Sequence, residues 1–159
     1  MKIYLAGYIS GNKIKECTDW RKKIREHYDY WKGGSKYPIC WLDPLNGKNF
    51  GEIDKTGLKS DIPGKAFVYR DFKCVAEADL IIVNTDTFGE SRPLTGTVFE
   101  LAWAWYLKKP VILISTEDNY RFHPFVVDTA TLIVPSVEEL LEKKYVNYFY
   151  KGTVSAQYE

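Results

Sequence analysis

The sequence predicts one α/β domain in which a parallel sheet of about five strands is covered by helices on both faces. Two observations lead there. Short β-branched runs alternate with helical stretches, and parallel neighbours need crossover connections, which the intervening helices supply. The 159 residues also suit one ordinary domain. At that size folding removes roughly 70% of the unfolded chain's surface from water, enough for a core without disulfide or metal staples. No internal repeat or low-complexity segment divides the chain, so residues 1–159 read as a single domain.

The elements follow in order. Residues 2–5 form a first strand, broken by the polar turn Gly7-Tyr8-Ile9-Ser10-Gly11-Asn12, and a charged helix runs over about 16–31. Gly33-Gly34 ends that helix, and residues 37–42 read as a second strand entering Asp43-Pro44. Residues 43–65 show no clear period. Loops of about 20 residues in compact domains are usually functional or disordered, so this stretch is expected to be a flexible cover over the site. A helix over 66–78, a buried strand over 80–83, a strongly apolar helix over 97–108, a strand over 111–114 and a weaker one over 131–134 complete the series. Ligands of such sheets sit outside the carboxyl ends of the strands, near a switch in strand order. That gathers residues 7–11, 43–44 and 85–96 around one crevice.

Composition narrows the function. With 22 basic and 21 acidic residues the net charge is +1, so no global field draws the protein onto a nucleic-acid polymer or an anionic membrane. An anionic ligand must be held locally. Cys17, Cys40 and Cys74 are odd in number and lack CxxC spacing, which reads as reduced and buried thiols. His27 and His123 are isolated, and no metal site is expected. The first strand begins at once, leaving no room for a signal peptide, and no apolar run approaches about 18 residues, so a cytoplasmic location is expected.

The most informative stretch runs from Asp86 to Trp105. A polar loop containing Ser91, Arg92, Leu94 and Thr95 leaves a strand, and Gly96-Thr97 opens a helix that is apolar on nearly every side. Glu100 is its single charged residue between Arg92 and Lys108. A helix that is hydrophobic all round is a buried one, which places this carboxylate inside or at the floor of a cleft. A carboxylate that merely complements the helix dipole is the alternative.

Gly96-Thr97-Val98-Phe99-Glu100-Leu101 followed by Lys109-Pro110-Val111 resembles the signature of the nucleoside 2-deoxyribosyltransferase superfamily, which includes 2′-deoxynucleoside 5′-phosphate N-hydrolases. The opening Ile3-Tyr4-Leu5-Ala6-Gly7, the segment from Arg70-Asp71 to Ala78-Asp79-Leu80-Ile81-Ile82, and the tail Phe149-Tyr150-Lys151-Gly152-Thr153-Val154 are similar to the same family. The resemblance implies a flavodoxin-like, Rossmannoid three-layer sandwich and chemistry at the N-glycosidic bond of a deoxynucleoside or deoxynucleotide. Its lead form transfers deoxyribose to a free nucleobase, with 5′-monophosphate hydrolysis as the alternative and a non-catalytic nucleotide-binding module as a third. It implies Glu100 as the nucleophile at C1′, Tyr4 as its orienting hydroxyl and Asp71 as proton donor to the departing base. A core tyrosine and an exposed helix carboxylate are the plainer readings of Tyr4 and Asp71. Asp79, where a helix hands over to a strand, reads as structural. No cofactor is expected.

One position departs from the family pattern. Many of its transferases carry an Asp six residues before the nucleophile, at the sugar's 5′ end, and this chain has Leu94 there. The N-hydrolases lack that acid and use a Gly-rich first loop, to which Gly7, Tyr8, Ile9, Ser10 and Gly11 are similar. With Ser91, Arg92, Thr95 and the helix start at Gly96 they would form an anion site, although a plain tight turn explains 7–11 equally well. Tyr8, Phe50, Phe67 and Phe88 are expected to stack on a base. The aromatic run 145–150 follows the last helix, where little core remains to cover it. With the resemblance, this predicts a homo-oligomer whose C-terminal segment, 145–159, helps complete a neighbour's site.

Overall fold

In β1, Lys2–Gly7, the side chains alternate between two apolar environments, which makes it a central strand. Ile3 and Leu5 point to one face; Tyr4 and Ala6 point to the other. The computed structural model describes residues 1–9, 13–30, 39–49, 53–54, 57–58, 62–89, 91, 93–116 and 118–149. Within them β1 pairs in parallel with β2 (Cys40–Leu42) and β5 (Leu80–Asn84). β5 continues to β6 (Val111–Ile114) and then β7 (Leu132–Val134), all parallel. The order is β2-β1-β5-β6-β7, and a separate antiparallel pair, β3 (Ile53–Asp54) and β4 (Gly57–Leu58), stands outside it. Counting the five sheet strands alone, the order is the flavodoxin-like 2-1-3-4-5.

Helices cover both faces. On one side α1 (Ile14–Tyr30) and α6 (Val137–Glu142) supply Trp20, Ile24, Val137 and Leu140 to a core with Ile3, Leu5, Ile82 and Ile112. On the other, α2 (Gly64–Glu77), α3 (Thr95–Tyr106) and α5 (Pro124–Val127) supply Val75, Leu101, Ala104 and Val126 to a core with Tyr4, Ala6, Val83 and Leu113. The short α4 (Asp118–Arg121) precedes α5. Ser136 caps α6, its hydroxyl accepting the Glu139 amide at 3.1 Å. Asp79 proves structural: its carboxylate accepts the Lys2 amide at 2.8 Å and its own amide reaches the Lys2 carbonyl at 2.8 Å.

Three expectations are corrected. Helix α3 is not buried on every side; Val98, Phe99, Trp105 and Tyr106 face solvent, because only the stripe of Thr97, Glu100, Leu101 and Ala104 meets the sheet. The stretch 43–65 contains a hydrogen-bonded turn over 43–48, the β3–β4 pair and the first turn of α2, where two-residue strands are too short to show a period. The aromatic run after α6 does find core of its own. A 3-10 turn, Tyr145–Phe149, buries Val146 completely and packs Tyr145 and Phe149 against the α1–α6 side, leaving Tyr148 exposed.

Gly7 closes β1 at a point of crowding. A Cβ there would stand 2.8 Å from Cζ2 of the buried Trp20 indole and 3.1 Å from the Asn84 carbonyl oxygen. Gly7→Ala is therefore expected to lower stability by about 1–3 kcal/mol through overpacking, read as a fall in the urea midpoint. An unchanged midpoint would show that the indole moves aside freely.

Candidate active site

The centre of the site is one hydrogen bond. Tyr4, on β1, has no solvent exposure, and its hydroxyl donates to Glu100 Oε1 at 2.6 Å. The parity of β1 turns Tyr4 toward the α2–α3 side, and the helical spacing of α3 puts Glu100 on the same inward stripe as Thr97, Leu101 and Ala104. Glu100 is 7% exposed, and burial pushes its pKa up from 4.5 to about 7. The Tyr4 hydroxyl opposes that rise, Asp71 adds to it, and Arg21 and Lys48 pull the other way. Burial first, and then the charge of Glu100, raises Tyr4 well above the ordinary tyrosine value, so it remains a neutral donor.

Asp71, on α2, lies within electrostatic reach of Glu100 but is engaged elsewhere. Its Oδ1 accepts from Arg70 Nε at 3.0 Å and Nη2 at 2.9 Å. Burial raises the Asp71 pKa, and this guanidinium works against the rise. Arg70 also donates to the Pro44 carbonyl at 2.8 Å and to the Asn46 carbonyl, clamping the turn after β2 onto α2. Gly47 in that turn sits at φ +79°, a conformation that favours glycine.

A second, wholly buried cation underlies this wall. Arg21 of α1 donates to the carbonyls of Leu5 at 3.3 Å, Gly7 at 3.2 Å and Cys17, and it faces Asp43 Oδ1 at 3.6 Å. Its guanidinium lies 4.4 Å from the Trp20 ring centroid. Asp43 also takes Arg25 at 3.3 Å and the Leu45 amide at 2.9 Å. Arg21, Lys48 and Arg70 were not singled out as site residues from the sequence, whereas Asp43 was placed at the crevice. For Arg21 a signal existed: it falls on the buried stripe Cys17, Trp20, Ile24 and Tyr28 of α1, where a charge must be paired.

Of the expected ligand-binding residues, Gly7 has a packing reason for its identity. Tyr8 is buried, and Ile9 packs with Cys17 and Leu45. Ser91, Thr95 and Gly96 are exposed ahead of and within the first turn of α3, and Leu94 precedes that helix as a buried residue. Ser10, Gly11, Arg92 and Phe50 lie outside the described residues. Lys48 and Arg70 approach the Phe67 ring, at 4.6 and 4.7 Å from its centroid. Phe88 packs against the opposite core.

Two cavities lie elsewhere. A groove of about 670 Å³ between α3 and α5 is lined by Val98, Leu101, Trp105, Tyr120, Phe125 and Val126. Another of about 390 Å³ lies between α1, the ends of β5 and β6, and α6. Neither is lined by Tyr4, Asp71 or Glu100. Glu100 is a candidate functional group because a buried carboxylate with a raised pKa and a dedicated hydroxyl partner is costly to maintain. Among the described residues no group of three or more His, Cys, Asp or Glu could hold a metal ion, and no helix is long and apolar enough to cross a membrane.

This architecture recurs in solved structures. A conserved protein from Enterococcus faecalis V583 superposes with a TM-score of 0.64 at 17% identity, over 92% of this chain and 98% of its own. The CMP N-glycosidase BcmB of Clostridium botulinum gives 0.55 at 14% identity, over 92% of this chain and 99% of its own. The fold is shared. A 2-desoxiribosyltransferase from Leishmania mexicana aligns less well, with a TM-score of 0.47 at 21% identity over 73% of this chain and 65% of its own, and adds nothing to the fold assignment. No protein-family model matches the sequence, and neither does any curated protein. At these identities the likenesses show a common fold and nothing finer.

The raised pKa of Glu100 has a consequence for stability. Between pH 4.5 and about 7 the folded state holds a proton on Glu100 that the unfolded chain releases. Stability therefore falls as pH rises through that window, by up to roughly 3 kcal/mol from this group. Glu100→Gln keeps the shape and the acceptor for Tyr4 but does not titrate. The wild-type minus Glu100→Gln difference in unfolding free energy is expected to slope downward from pH 4.5 to 7 and flatten above; a flat difference would show Glu100 ionising normally.

Proposed function

We propose that the protein cleaves the N-glycosidic bond of a 2′-deoxynucleoside and transfers the deoxyribosyl group to a second base through a glycosyl-enzyme intermediate on Glu100. The observation that carries this is the 2.6 Å hydrogen bond from Tyr4 of β1 to Glu100 of α3, both residues buried. As the base leaves, positive charge grows at C1′, and a fixed carboxylate both stabilises it and bonds to it. Tyr4 holds one oxygen and leaves the other to attack. Asp71 lies within electrostatic reach of Glu100.

A second reading, hydrolysis of a 5′-monophosphate with water as acceptor, is favoured by Leu94 and by the exposed start of α3 at Thr95 and Gly96. An anionic group gains from free backbone N–H groups at a helix start and from the absence of an acid there. The likeness in fold to the CMP N-glycosidase supports the same reading. Deoxynucleosides and their monophosphates, each with and without free adenine, separate the two: base exchange identifies the transferase, and base release from monophosphates alone identifies the hydrolase.

Both readings require ionised Glu100. Glu100→Ala is expected to lose at least ~10³-fold in turnover while remaining folded, and a variant retaining a tenth of the wild-type rate would remove Glu100 from the mechanism. In the wild type kcat/KM should rise with pH and level off above about 7, the pKa of Glu100.

The active form is proposed to be a homo-oligomer. Support comes from the outward face of α3, where Phe99 and Trp105 are 57% and 63% exposed, continuous through the apolar groove with Phe125 at 82%. Such a patch is larger than scattered surface residues explain. The C-terminal contribution to a neighbour's site then rests on the residues after Phe149. Trp105→Lys is expected to weaken self-association at least ~100-fold in sedimentation; a full-length chain that sediments as a monomer would end the proposal.

A further inference from the structure

Four charged groups act on or beside Glu100: Asp71 and Arg70 of α2, Arg21 of α1, and Lys48 in the turn after β2. Arg21 is occupied by three carbonyls and Asp43, and Arg70 by two carbonyls and Asp71. Lys48 differs. Its amide is fixed to the Leu45 carbonyl at 3.0 Å, while its ammonium rests 4.6 Å from the Phe67 ring centroid. Among the described residues it has no hydrogen-bond acceptor and no carboxylate within 4.0 Å. The charged and titratable groups facing it are Asp71 and Arg70 from α2, Cys17 from α1 and Glu100 from α3.

We propose that Lys48, rather than Asp71, is the proton donor to the base that leaves when Glu100 attacks C1′. The proposal rests on the N-glycosidic reading above. Glu100 forms a C1′–O bond, the C1′–N bond breaks, and its electron pair stays on the base. The Lys48 ammonium gives a proton to the base and becomes an amine. When water or the N–H of a second base displaces Glu100 from C1′, the proton it sheds returns to Lys48.

Two arguments select Lys48. Glu100 must be ionised while the donor is still protonated. Burial raises the pKa of Asp71, but the guanidinium fork opposes that rise and occupies Oδ1, whereas the Lys48 ammonium keeps its proton throughout that range and has no acceptor among the described residues. Burial of Lys48 lowers its pKa, and Asp71 opposes that fall; the net shift makes the proton easier to give. Asp71 is then left to accept a hydrogen bond from the base and orient it.

The test uses wild type, Lys48→Met and Lys48→Arg on two substrates, each as nucleoside and 5′-monophosphate. One carries a natural base; the other carries p-nitrophenolate, which leaves without a proton. Lys48→Met is expected to lose at least ~100-fold on the natural base and less than about threefold on p-nitrophenolate, which also shows that the variant is folded. Lys48→Arg keeps the charge without a transferable proton and should stay as slow as Lys48→Met on the natural base. Equal losses on both substrates, recovery with arginine, or no loss at all would overturn the assignment to Lys48 while leaving Glu100 in place. A wild type that releases neither leaving group overturns the N-glycosidic reading and this proposal with it.

Discussion

A guanidinium without solvent exposure must find its partners inside the protein, because moving the charge out of water costs several kcal/mol unless it is paired and hydrogen-bonded. Arg21 meets that requirement by reaching from α1 to the last turn of β1 and to Asp43 beyond β2. One side chain thereby joins three segments that are distant in sequence. Asp43 extends the tie, taking Arg25 and capping the turn through the Leu45 amide. The turn that carries Lys48 is shaped by this pairing and clamped from the other side by Arg70. The wall of the site next to Glu100 thus descends from the need to neutralise Arg21.

The same arrangement sets the electrostatics of Glu100. Burial alone would hold it protonated, and Asp71 pushes in the same direction. The Tyr4 hydrogen bond, Arg21 and Lys48 oppose both, leaving the carboxylate near neutrality. A fully exposed glutamate would always be ionised but solvated and less reactive. One buried without those partners would not ionise at working pH. The position between the two extremes depends on contributions from β1, α1, α2 and the turn after β2, so no single element defines the site.

Much of this was legible in the residues. Short strand-like runs at 2–5, 80–83 and 111–114 alternating with helical stretches imply a parallel sheet with both faces covered. Glu100 was visible because a lone charge in an apolar helix needs a partner, and the resemblance supplied Tyr4 as that partner. What covers the outer face of α3 was not legible, because an apolar side chain does not announce its partner; Phe99 and Trp105 look the same in a sequence whether they meet their own sheet or nothing in their own chain. The two cations on Phe67 were not legible for a related reason. Its neighbours Lys48 and Arg70 come from 19 residues before and 3 after, and only folding places both cations on one ring. The two-residue strands β3 and β4 lie below the length at which any period exists.

A chain with a net charge of +1 can still concentrate charge in one place, provided the charges are mostly spent on one another. Arg21 and Arg25 close on Asp43, and Arg70 closes on Asp71. Lys48 and Glu100 remain the opposite charges of the site that are not closed on each other. Had the ammonium settled directly on the carboxylate, the ion pair would have engaged the lone pairs that the proposed attack on C1′ uses and the proton proposed for the base. Phe67 offers the ammonium a weaker attraction through its ring face, strong enough to hold a desolvated cation yet lost at little cost when a better acceptor arrives. On the proposed N-glycosidic reading, separation of the two charges, more than either charge alone, is what would let one act as nucleophile and the other as acid in the same step.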